Sequence, residues 1–118
     1  MTFARFAITA SLMCAAASPL RAAESFAGRW GMDAAACTNW SGATAANSPL
    51  IVSDNAIRWY DGACRVARMY KTGNVVRMEA RCWRDGEDRS TPVSLETIGD
   101  RLKASWNRGP ANTLKRCP

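Results

Sequence analysis

Between residues 64 and 83 apolar and polar positions alternate in two runs flanking Thr72-Gly73-Asn74. A period of two predicts two half-buried strands, residues 64–71 and 75–83, joined as a hairpin. With Gly73 at the tip, Cys64 faces Cys82, Val66 faces Ala80, Arg68 faces Met78 and Tyr70 faces Val76. All share one face. Arg65, Lys71, Arg77, Glu79 and Arg81 fall on the other face, with Trp83, and suit solvent.

Shorter patterns extend this reading. Residues 26–32 predict a first strand, and Asp33 is placed to cap one helical turn over residues 34–37. Residues 39–49 are small and polar and predict a long loop. Residues 50–53 and 56–60 flank Asp54-Asn55, a favourable hairpin turn. Asp61-Gly62 is a further turn, and residues 85–88 turn the chain again. Residues 91–98 and 101–106 form another hairpin across Gly99-Asp100, and the tail runs from Leu114 through Cys117. Frequent turns between roughly six to eight short strands fit an antiparallel barrel or sandwich.

Ahead of this pattern, Arg5 is followed by an apolar run from residue 6 to residue 17 and then by small residues. That order predicts an export signal, residues 1–23, cleaved after Ala22 or Ala23. The run is shorter than the ~20 apolar residues a membrane span needs. Cys14 lies inside it and lacks the small preceding residue of a lipoprotein signal. The expected mature part, residues 24–118, is one domain with no membrane insertion, in the periplasm or outside the cell.

Four cysteines remain in that part: Cys37, Cys64, Cys82 and Cys117. An even count in an exported chain of this size predicts two disulfides. The hairpin register suggests Cys64 with Cys82 and leaves Cys37 with Cys117. Cys37 with Cys64 and Cys82 with Cys117 is the alternative.

The chain has no histidine, which removes the commonest general base and metal ligand. Glu87 and Asp88 share a solvated turn, where two carboxylates have no reason to take different roles. No Cys-x-x-Cys pair or calcium-loop spacing occurs. The expectation is a non-enzyme without cofactor or metal. The chain carries 16 Lys and Arg against 10 Asp and Glu, a net +6. Without Arg5 and Arg21 the net charge is +4, with no basic tail. Five tryptophans are many for this length. With neighbouring arginines they raise a single-strand nucleic-acid platform, which export argues against. Trp30, Trp59 and Trp106 are instead expected in the core, and Trp83 is a candidate contact residue. Arg68 has two readings: an anion-binding group inside the barrel beside Trp59, or a residue turned outward by a β-bulge.

Phe26-Ala27-Gly28-Arg29-Trp30 resembles the Gly-x-Trp opening of lipocalin-like barrels. The resemblance implies a small antiparallel lipocalin-like barrel in which Gly28 and Trp30 close one end, with Arg108 or Arg116 against the Trp. In length and export the chain also resembles small periplasmic inhibitors of secreted metalloproteases. That resemblance implies that Ala23, Glu24 and Ser25 enter a protease cleft. Short four-cysteine exported bacterial proteins that open with Gly-x-Trp and end in Arg-Cys look similar too, and imply no activity. The leading expectation is therefore a monomeric, non-catalytic binding module, an inhibitor of a secreted hydrolase. A carrier of a small anionic or apolar ligand and an envelope structural protein are the alternatives.

Overall fold

The alternation becomes eight antiparallel strands that close on themselves. The computed structural model describes residues 26–118. The expected leader, Glu24 and Ser25 lie outside the described residues. The strands are β1 (Gly28–Gly31), β2 (Leu50–Val52), β3 (Ala56–Trp59), β4 (Gly62–Thr72), β5 (Val75–Arg84), β6 (Glu87–Ile98), β7 (Arg101–Trp106) and β8 (Asn112–Arg116). Each pairs with the next, and β8 returns to β1 with Trp30 opposite Arg116. Of the barrel and the sandwich that the turn spacing allowed, the barrel is present. Among the described residues no helix is long and apolar enough to cross a membrane.

One helical turn, α1 (Ala34–Thr38), follows β1, and its start is the one the sequence predicts. The Asp33 carboxylate accepts from the Ala36 N–H at 2.8 Å, satisfying a donor that the first turn leaves free. The turn buries Cys37, which is bonded to Cys117 beyond β8. Cys64 and Cys82 are bonded across β4 and β5. The pairing suggested by the hairpin register is therefore the one present. Cys37–Cys117 ties the tail to the start of the barrel.

Inward residues fill the barrel. Trp30, Leu50, Ile57, Leu95, Leu102 and Leu114 are each at most 1% exposed. Trp59 and Trp106 meet edge to face, with ring centroids 5.8 Å apart, a favoured aromatic geometry.

Two expectations need correction. The β4–β5 hairpin holds its expected register only as far as Val66 opposite Ala80. A bulge then inserts Ala67, so Arg68 faces Glu79, Met69 faces Met78 and Tyr70 faces Arg77. The bulge flips every later side chain to the other face. Arg68 is therefore exposed rather than inside the barrel, and Tyr70 is exposed as well. The turn tightens to Gly73-Asn74, with Gly73 at φ 59, as a two-residue hairpin turn with glycine first requires. The second correction concerns residues 85–88. Only Asp85 and Gly86 turn, and β6 begins at Glu87 because its main chain continues the ladder with β5.

Candidate functional site

Four strands in register build a groove on the outside of the barrel. Ala56 of β3, Arg65 of β4, Arg81 of β5 and Ser90 of β6 form one cross-strand row. Two residues along, Arg58 is opposite Ala63 and Trp83 is opposite Asp88. The period of two turns all eight outward. Ala56 and Ala63 are small, so the floor is low between Arg65, Arg81 and Trp83. The result is an open groove of about 510 Å³. A second groove of about 290 Å³ adjoins it at Ala63, lined by Arg58, Tyr60 and Trp40. Trp83 is 65% exposed, and Trp40 and Tyr60 are also exposed.

The groove is electropositive for a local reason. Arg65 and Arg81 are directly opposed on neighbouring strands, a like-charge pairing that costs stability. Among the described residues Arg58, Arg65 and Arg81 make no ion pair and no side-chain hydrogen bond. The ion pairs lie to one side: Arg84 with Asp61 and Asp85, and Arg89 with Glu87. Among the described residues Asp88 is the one carboxylate lining the groove. Arginine forks and exposed indoles in one concavity suit carboxylate recognition and aromatic anchoring.

The remaining candidates are dispersed. Trp59 is buried in the core. Arg68 is on the outer face, so the two do not share a cavity. Glu24 and Ser25 fall outside the described residues. Gly28 and Trp30 lie at the β1–β8 closure, where Arg116 rather than Arg108 covers the Trp30 ring. Among the described residues there is no cluster of three or more His, Cys, Asp or Glu side chains able to hold a metal ion. Arg65 and Arg81 were read as solvated positions. Their opposition follows from pairing Cys64 with Cys82, one step along the ladder, so the signal was available in the register. Comparison with family models, with curated proteins and with solved structures found no match to this chain.

Proposed function

We propose that the chain is an exported, non-catalytic binding module that presents its Trp83 face to an acidic surface of a protein partner. One observation carries the reading: an indole left 65% exposed in a groove beside two opposed arginines that have no ion pair among the described residues. Trp, Tyr and Arg dominate the energetics of protein interfaces. The arrangement costs the free protein stability, and a carboxylate-bearing partner would reverse that cost. Two disulfides support an oxidising compartment. A secreted hydrolase is the finer reading of the partner, with the barrel blocking its cleft.

The test is binding and inhibition across a panel of secreted hydrolases with acidic surfaces. We expect a partner whose affinity falls about 30-fold with Trp83→Ala, the roughly 2 kcal/mol of a hot-spot anchor. Its association rate should drop with added salt. A partner bound equally well by Trp83→Ala and Arg81→Glu would remove this face from the reading.

A further inference from the structure

The turn between β7 and β8 holds two consecutive residues in the left-handed region, Asn107 at φ 52 and Arg108 at φ 60. The Gly109 N–H donates to the Trp106 carbonyl at 3.0 Å, so these two are the central residues of a tight turn. The Ser105 hydroxyl donates to the Gly109 carbonyl at 2.8 Å, and the Asn107 N–H donates to the Pro92 carbonyl at 2.8 Å. Both bonds hold the turn in place, the second against β6. Asparagine tolerates this conformation, but an arginine there costs free energy that a glycine avoids. The turn sets Arg108 at a cleft of about 180 Å³, which Arg77, Pro92, Ser94 and Ser105 also line. Arg77 of β5, Ser94 of β6 and Ser105 of β7 are one cross-strand row. Arg77 and Arg108 are exposed, and both serines are half-buried.

We propose that this cleft binds a phosphate group, either free or as a phosphate monoester. Among the described residues no carboxylate lines it. Among them, too, Arg77 and Arg108 make no ion pair and no side-chain hydrogen bond, and the Ser94 hydroxyl has no partner. Two acids flank the cleft along the strands, Glu79 two residues beyond Arg77 and Glu96 two residues beyond Ser94. Glu79 lies between Arg68 and Pro92 on its neighbouring strands, and Glu96 is opposite Lys103. Each acid thus faces a cation other than Arg77 and Arg108, and those two remain in surplus. The donor set selects the ligand. One guanidinium fork satisfies a carboxylate, with its two oxygens and single charge. A phosphate monoester carries about −1.5 to −2 charge and three acceptor oxygens, which call for two forks and a hydroxyl. Pro92 adds an apolar wall for a group esterified to the phosphate. The conformation of Arg108 fits the same reading, because costly backbone conformations cluster at ligand clamps. The cleft is separate from the Trp83 groove and does not depend on that reading.

The experiment titrates the full exported chain, isotope-labelled, with inorganic phosphate, phenyl phosphate and benzoate at constant ionic strength. Main-chain amides and arginine side-chain N–H groups are followed by NMR. Phosphate and phenyl phosphate shift the Arg77 and Arg108 side chains and the amides of Ser94 and residues 105–109, and the shifts saturate. Tighter binding of phenyl phosphate assigns the site to an ester, and equal or weaker binding assigns it to free phosphate. Benzoate binds at least tenfold more weakly than phenyl phosphate. Lowering the pH through about 6 removes the second charge of the ligand while the arginines keep theirs, and weakens binding severalfold. Arg77→Gln and Arg108→Gly each weaken phosphate binding at least tenfold. Arg108→Gly also relieves the backbone, so its thermal midpoint does not fall and its loss of binding is not loss of fold. Trp83→Ala leaves phosphate binding unchanged. The proposal is overturned if millimolar phosphate shifts nothing, or shifts Arg65 and Arg81 as much as Arg77 and Arg108. It is equally overturned if benzoate binds as tightly as phenyl phosphate, or if Arg108→Gly binds phosphate as well as the native chain.

Discussion

The guanidinium of Arg116 stacks over the Trp30 ring, 4.2 Å from its centroid. The two residues are opposed across β8 and β1, the pairing that closes the barrel. Beneath it Trp30 is fully buried, and its indole N–H donates to the Phe26 carbonyl at 3.1 Å. Arg116 also donates to the Ala27 carbonyl at 3.2 Å. The last strand thus covers the largest side chain of the first. Arg116→Ala should lower stability by about 1–2 kcal/mol, from the stacked cation and one hydrogen bond. Arg116→Lys should recover only part of it, because an ammonium cannot stack as a plane. A urea midpoint unchanged in the Ala variant would show that closure rests on the main-chain ladder.

Gly28 belongs to the same closure. Its φ is +139, and an added Cβ would lie 2.8 Å from the Arg116 Nη1. The Arg can move aside, but the backbone conformation remains hostile to an L side chain. Gly28→Ala should cost about 1–3 kcal/mol, and most of that should persist when Arg116 is already alanine. A cycle of the two variants measures the difference. A cost that vanishes in the double variant would assign it to crowding alone.

The two disulfides should not be equal. Cys64–Cys82 spans 18 residues and Cys37–Cys117 spans 80. Loop-closure entropy gives about 3 and 4.5 kcal/mol respectively. Replacing Cys37 and Cys117 together by Ala should therefore lower the denaturation midpoint more than replacing Cys64 and Cys82. The reverse order would show that the hairpin staple supports native contacts beyond its entropic effect.

Trp59 and Trp106 carry buried indole N–H groups without a hydrogen-bond partner among the described residues. A donor left unpaired in the core costs free energy in the native protein. Trp106→Phe deletes that donor while keeping an aromatic edge against Trp59, and should shift stability by less than about 1.5 kcal/mol in either direction. Trp106→Ala should cost about 3–5 kcal/mol by leaving a cavity. Equal losses from both would mean that the indole nitrogen has a role in holding the core.

Much of the architecture was legible because burial imposes a period of two wherever a strand crosses the core. Cys64, Val66, Ala80 and Cys82 show it, and the register they set also identifies a disulfide. The pattern fails where strands pass beyond the core. Glu87, Asp88 and Arg89 are all exposed, so no alternation marks the start of β6. Its main chain pairs regardless of side chain. The bulge at Ala67 has no turn residue to announce it, and Arg68 and Tyr70 moved face with it. β8 buries Leu114, too weak a signal in a short tail. Trp83 was visible as a polar-face aromatic. Its groove was not, because Ala56 and Ala63 shape the floor only once β3 and β4 are in register.

The opposed pair Arg65 and Arg81 gives the clearest separation of stability from binding. Arg81→Glu replaces a cross-strand repulsion with an attraction, and should raise stability by about 0.2–1 kcal/mol. Salt should stabilise the native protein slightly through this pair and destabilise the variant slightly, since screening relieves a repulsion in one and weakens an attraction in the other. The same substitution places a carboxylate in the groove and should abolish binding of an acidic partner. A protein that becomes more stable while losing its partner has its cations there for binding rather than folding. Thermal denaturation at low and high salt, run beside the binding measurement, decides the matter. If Arg81→Glu lowers stability instead, Arg81 contributes to the barrel through packing of its aliphatic stem, and the Trp83 face loses its strongest support.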